Sequence, residues 1–216
     1  NSRIIRDSII VNSNIPFSIY SKLHRFPAIY SVGNPFISVS SLPPEQKEST
    51  TFFKKAAQIF KWLSQETGPD DKEEIPVMKT NSEWALNDDK REGTTIEADP
   101  TGRWAAICDN MYRVIIIDTV FGNITKVLKG YRDAQVAWFS PSEEKSKNPF
   151  LVIYVPTREI IVACTIPDGN MVAAVKVVRD GKLFQTIDDK SKYGAAFVYP
   201  TGDIAIINVT AKSKDD

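Results

Sequence analysis

The sequence predicts a mainly β fold: part of a β-propeller built from antiparallel four-stranded blades, with one inserted amphipathic helix. Three observations predict it. Four short runs rich in β-branched and aromatic residues, at 94–98, 104–108, 113–118 and 124–128, are separated by Pro-Thr-Gly, Asp-Asn-Met-Tyr and Val-Phe-Gly-Asn, which is turn chemistry at every joint. A second set of runs follows at 135–139, 150–155, 160–165 and 171–178, with Pro167-Asp168-Gly169-Asn170 between its last two members. Pro100 and Pro141, each in a turn, stand about 41 positions apart, within the blade period of about 40 to 45 residues.

Taken in order, the chain opens with an apolar run at 4–11 and a shorter, Pro-interrupted one at 15–20, both of strand character. Runs at 26–32 and 36–40 flank Gly33-Asn34-Pro35 and predict a hairpin. Pro43-Pro44 ends the strand pattern. Residues 45–65 switch to helical spacing, with Phe52, Ala56, Ile59, Phe60 and Leu63 on one face, Ser49 or Thr50 as the cap and Gly68-Pro69 as the stop. Lys54, Lys55, Lys61 and Trp62 edge that face, so the helix either packs its stripe on the propeller's side or lies on a membrane or partner.

Residues 70–89 are acidic, broken by Pro76 and nearly free of strand signal, so they read as a mobile loop. The expected organisation is then residues 1–44 as N-terminal strands and hairpin of the propeller, 45–92 as a helical insertion with its acidic loop, and 93–216 as two complete blades and a partial one. The partial blade comprises 183–187, 195–199 and 203–209, where Pro200-Thr201-Gly202 repeats Pro100-Thr101-Gly102. The charged stretch 143–147 lengthens a loop, and 212–216 reads as a frayed end. A closed propeller of about 6 to 8 blades needs about 250 to 330 residues, so this chain accounts for about half of one.

Composition sets the outer bounds. At 216 residues, 42% apolar and 25% charged, the chain can bury a substantial core, which excludes disorder throughout. Its 27 basic and 27 acidic residues cancel, so no overall field favours nucleic acid or an anionic membrane. No apolar run reaches the length of about 18 residues needed to span a bilayer, and Asn-Ser-Arg at the start lacks a signal-peptide pattern. The absent initiator Met points to an excerpt of a longer chain. Cys108 and Cys164 sit in apolar runs and are expected as reduced, buried thiols of a cytosolic protein. The sequons at Asn123 and Asn208 are read as chance.

The residues that carry catalysis elsewhere are missing. His24, the single histidine, has no nucleophile or metal motif beside it. There is no phosphate-cradling Gly-rich loop ending in Lys, and two distant cysteines with one histidine do not compose a zinc site. The pairs Asp70-Asp71, Asp88-Asp89 and Asp188-Asp189 read as solvated loop residues rather than an acid and a base, because adjacent side chains diverge. No catalytic, cofactor or metal residue is therefore assigned, and a stand-alone hydrolase has no residue set. Trp84, Trp104 and Trp138 read as packing residues.

The 93–141 stretch resembles the WD-repeat pattern, with Gly130-Tyr131 in place of Gly-His, Asp99-Pro100-Thr101-Gly102 as the turn, and Ile117-Asp118 in place of Trp-Asp. A narrower likeness lies in Arg113-Val-Ile-Ile-Ile-Asp118, Lys129-Gly-Tyr-Arg-Asp-Ala-Gln135 and Phe150-Leu-Val-Ile-Tyr154. In these the sequence resembles the amino-terminal domain of the non-catalytic, regulatory subunit of the Rab three GTPase-activating protein complex. The likeness covers about 91–184 well and 26–40 loosely.

That resemblance implies a scaffold that binds the catalytic subunit as a heterodimer, acts on Rab GTPases through the complex, has an associated nucleotide-exchange activity, and leaves catalysis to its partner. It also implies membrane trafficking as the setting, with a cytoplasmic location, peripheral to the endoplasmic reticulum or other endomembranes. Arg132 is accordingly not read as an arginine finger. The candidate motif residues are Gly130, Tyr131, Arg132, Asp133, Ala134 and Asp118, either scaffolding the rim or facing a partner, with the Tyr131 hydroxyl expected on Asp109 or Asn110. The alternative is a different WD-like scaffold in a trafficking or lipid-associated assembly.

Overall fold

The computed structural model describes residues 4–11, 28–41, 81–140, 148–187 and 193–209. Among them the chain forms four sheets in series, each a meander of antiparallel neighbours. The first contains β1 (Ile4–Val11), β2 (Ala28–Asn34), β3 (Ile37–Ser41) and β4 (Asn81–Leu86). The second contains β5 (Gly93–Ala98), β6 (Trp104–Asp109), β7 (Arg113–Asp118) and β8 (Asn123–Lys129). The third contains β9 (Gln135–Phe139), β10 (Phe150–Val155), β11 (Ile160–Thr165) and β12 (Met171–Lys176), with one 3-10 turn at Pro156–Arg158. The fourth holds β13 (Lys182–Ile187), β14 (Tyr193–Val198) and β15 (Ile204–Ile207).

Side-chain alternation explains how the sheets stack. In β6 and β7 the odd-numbered Ala105, Ile107, Ile115 and Ile117 face the first sheet and join Tyr30, Val32, Phe36 and Val39 in one core. The even-numbered Trp104, Ala106, Val114 and Ile116 face the third sheet and join Trp138, Leu151, Ile153 and Val155 in another. Middle strands buried on both faces must be apolar at every position, which is why Val114–Ile117 and 151–155 are unbroken apolar runs. Each fully buried isoleucine or leucine contributes about 2 kcal/mol of transfer free energy. A third core, with Val152 and Tyr154 against Leu183, Ala195 and Phe197, repeats the packing between the last two sheets.

Contact between successive sheets runs through their first strands, β1 beside β5, β5 beside β9, and β9 beside β13 and β14. The sheets therefore radiate as blades, and the fold is part of a WD-like propeller. Polar ties reinforce the seams: the Ile96 N–H donates to Asp7 Oδ2 at 2.9 Å, and the Tyr30 hydroxyl donates to the Thr119 carbonyl at 2.8 Å.

One sequence expectation is corrected here. Residues 81–86, read as part of an acidic loop, are β4: pairing with β3, Ile37 opposite Leu86 and Val39 opposite Trp84 with a register shift before Ser82, draws the segment into the first blade. The N-terminal strands and hairpin are accordingly three strands of a four-stranded blade. The repeated Pro-Thr-Gly marks unequal joints, since 100–102 links the first and second strands of its sheet and 200–202 links the second and third. The run at 15–20, the helix at 45–65 and the charged stretch 143–147 lie outside the described residues.

Candidate functional site

The unusual run Gly130-Tyr131-Arg132-Asp133-Ala134 connects β8 to β9 at the rim where the β6–β7 turn also lies. That turn is shaped by Asp109, whose Oδ1 accepts the N–H groups of Met111 (3.0 Å) and Arg113 (2.9 Å). Its Oδ2 accepts Arg113 Nε at 2.8 Å, a buried ion pair with the Asp109 side chain fully enclosed. The turn closes with Tyr112 at φ 62°, in the left-handed region. This aims the Tyr112 carbonyl at the next connection, where it accepts both the Gly130 N–H (3.0 Å) and the Tyr131 N–H (2.8 Å).

Two amides converging on one oxygen require a tight bend, and Gly130 takes φ 84° to make it. A Cβ there would also stand 3.2 Å from Arg158 Nη2, which reaches over from the β10–β11 turn. Asp133 follows at φ 54°, a conformation that aspartate tolerates better than most residues. With the chain so turned, the Arg132 guanidinium lies over the Tyr112 ring at 4.1 Å from its centroid. Both residues are exposed.

Tyr131 and Ala134 turn the other way and pack against the core between the second and third blades. Burial pushes the Tyr131 hydroxyl above its ordinary pKa, with Cys164 adding to the shift and Arg158 opposing it. The Ala134 carbonyl accepts the Cys108 thiol at 3.4 Å. The Tyr131 hydroxyl does not take the expected place on Asp109 or Asn110. Asp109 is occupied by Arg113 and the turn amides, and Asn110 Oδ1 accepts the Glu92 N–H at 3.1 Å.

Asp118, grouped with this run in the sequence, stands at the opposite end of β7. Five residue steps along the strand part it from Arg113, about 17 Å. It is 4% exposed and caps the β7–β8 turn, its Oδ1 accepting the N–H groups of Val120 (2.9 Å) and Phe121 (3.1 Å). The structure thus brings Gly130 to Ala134 together with Tyr112, Arg113, Asp109 and Arg158, and leaves Asp118 apart. Tyr112 was visible in the sequence only as a turn residue. Its signal is an aromatic in a turn two strands before Arg132.

Asp109 is saturated by hydrogen bonds to Arg113 and the turn amides. What the rim offers outward is an arginine stacked on a tyrosine, two residue types enriched at binding hot spots.

Residues 31–184, from β2 into β13 and including this rim, match the family described as the Rab3 GTPase-activating protein regulatory subunit N-terminus. The chain belongs to that family. The Rab3 GTPase-activating protein regulatory subunit of Caenorhabditis elegans is 31% identical over 87 residues, which is 40% of this chain and 7% of that relative's length. Among solved structures, the chain is similar to the WD40 domain of SCAP from fission yeast, with a TM-score of 0.48 and 13% identity over 83% of this chain and 38% of that one. It is also similar to the hydrazine synthase of Kuenenia stuttgartiensis, with a TM-score of 0.39 and 11% identity over 83% of this chain and 50% of that one.

Proposed function

We propose that this chain is the propeller part of a non-catalytic subunit that scaffolds a Rab GTPase regulator. It binds the catalytic subunit as a heterodimer, engages Rab proteins through that complex, and supports nucleotide exchange as well as GTPase activation. The work is cytoplasmic, peripheral to the endoplasmic reticulum or other endomembranes. Within the chain, the stretch 45–65 can be deleted without unfolding the blades.

The observation that supports this best is that the family match runs through the rim at Gly130 to Ala134, where Arg132 and Tyr112 form an exposed stacked pair. Stacked arginine and aromatic side chains resist side-chain entropy loss on docking and suit a protein partner.

The test is co-purification of the full-length protein with the catalytic subunit, comparing wild type with an Arg132→Glu, Tyr112→Ala variant. Wild type is expected to co-purify and the variant to lose most of the catalytic subunit while keeping its thermal melt. Wild type failing to co-purify removes the functional reading. A variant that binds as wild type does moves the contact away from this rim.

A further inference from the structure

Three successive connections share a local pattern. Arg132-Asp133 lies between β8 and β9, Arg158-Glu159 between β10 and β11, and Arg179-Asp180 between β12 and β13. Because the strands of the third sheet alternate in direction, all three connections fall at the same end of the blades. In each, the acid takes a positive φ, 54° at Asp133, 57° at Glu159 and 65° at Asp180, a left-handed conformation that few residues other than glycine adopt.

The connections form one continuous rim. Arg158 Nη2 stands 3.2 Å from the point that a Cβ on Gly130 would occupy, and the Glu159 carbonyl accepts the Val177 N–H at 2.8 Å. The Tyr154 hydroxyl donates to the Val178 carbonyl at 3.0 Å, which ties the last connection to β10.

Arg132, Arg158 and Arg179 are all exposed. Although an acid follows each of them directly, none lies within ion-pair distance of a carboxylate among the described residues, whereas Arg6, Arg91 and Arg113 each hold one at 2.8 Å. Arg132 is held by the Tyr112 ring instead. Stacking engages the face of a guanidinium and leaves its in-plane N–H edge for an acceptor.

With Lys129, Lys176 and Lys182 at the bordering strand ends, the three connections carry six cations against three carboxylates. In a chain whose charges cancel overall, that local excess steers an acidic partner to this rim. Guanidinium forks take carboxylates bidentately and so fix orientation as well as charge. The interspersed acids weaken attraction to a uniformly anionic bilayer and leave it for carboxylates placed opposite the arginines.

We infer that this rim is a docking surface for an acidic polypeptide segment of the catalytic subunit, whose carboxylates pair with Arg132, Arg158 and Arg179. The inference rests on the functional reading above and adds the chemistry of the contact, together with two further residues, Arg158 and Arg179, that determine it.

The experiment measures binding of the full-length protein to the immobilised catalytic subunit across a salt series. It compares wild type with a double variant, Arg158→Gln with Arg179→Gln, which leaves Arg132 and Tyr112 in place. Wild-type affinity is expected to fall as salt rises. The glutamine variant should bind roughly tenfold more weakly, with a shallower salt dependence and an unchanged melt. Arg158→Lys with Arg179→Lys keeps the charge, so it should restore the salt dependence but only part of the affinity, because an ammonium lacks the fork.

Wild type failing to bind removes the functional reading and this inference with it. Wild type binding with a glutamine variant that matches it overturns the inference alone. Should the glutamine variant melt lower, the lysine variant decides, and affinity equal to wild type overturns the inference. Loss of wild-type binding after phosphatase treatment of the catalytic subunit would put phosphates in place of carboxylates. Capture of the full-length protein on phosphatidylserine vesicles, lost in the glutamine variant while subunit binding is kept, would assign the arginines to a membrane. Either result overturns the proposal.

Discussion

Gln185 of β13 holds both backbone groups of Trp138 in β9: its side-chain oxygen accepts the Trp138 N–H at 2.6 Å, and its amide nitrogen donates to the Trp138 carbonyl at 2.9 Å. The same nitrogen donates to the Gly194 carbonyl at 2.8 Å. Gln135 returns the arrangement, its Oε1 accepting the Leu183 N–H at 2.8 Å. β9 has β10 on one side, and on its other side these glutamines replace the strand that is not there.

Gln185→Leu keeps the bulk of the side chain and removes every bond that the Gln185 side chain makes, leaving the Trp138 backbone groups without those partners. A loss of about 3 kcal/mol is expected, seen as a lower denaturant midpoint at unchanged slope. A midpoint equal to wild type would show that apolar packing alone holds the third and fourth blades together.

At Gly130 the backbone sits at φ 84° with Arg158 Nη2 where a Cβ would press. Gly130→Val is expected to cost well over 1 kcal/mol, because a β-branched residue is strained in the left-handed region. Chemical denaturation checks this, and an unaltered midpoint would contradict the two-amide bend onto Tyr112.

The Asp109 and Arg113 pair is enclosed, with the Arg113 side chain 12% exposed and its Nη2 without a hydrogen-bond partner among the described residues. Asp109→Ala should cost about 3 kcal/mol, since it strands a buried guanidinium. Adding Arg113→Met should recover part of that loss. Additive losses in this double-mutant cycle would mean that the two side chains act independently.

How much of this was legible in the sequence depends on what each element needed. The second and third blades were readable because strands buried on both faces must be apolar at successive positions, as in Val114–Ile117, and because proline and glycine mark their joints. β4 was not, since it sits in a polar, acidic stretch and its strand state depends on pairing with β3. At the rim, the chemistry of Gly130 to Ala134 stood out, but its anchor did not. The Tyr112 carbonyl is a backbone group, and nothing in side-chain identity announces which distant amides it will accept. Asp118 looked like a member of the same motif because it closes a strand of the same blade, yet a strand has two ends and it lies at the other one.

Burial pushes the Cys108 and Cys164 thiols up to about 11 and the Tyr193 hydroxyl up to about 12. Each folded value is above its ordinary one, so the stabilisation from keeping these groups protonated is complete below about pH 9 and is lost as pH rises through 9 to 12. The melting temperature should be flat with respect to these groups near neutrality and fall through the alkaline window. Both thiols should resist alkylation at pH 8 until the chain is unfolded. Rapid alkylation of the folded chain at that pH would contradict their burial.

The central claim, that this chain serves a Rab regulator without supplying its catalysis, is tested most directly by γ-phosphate release from a panel of Rab proteins. The assay is run with this chain alone, with the catalytic subunit alone, and with the catalytic subunit plus the full-length regulatory protein. The account predicts release at the intrinsic Rab rate with this chain alone, and faster release with the full-length pair than with the catalytic subunit by itself. Stimulation of any Rab by this chain alone would contradict it.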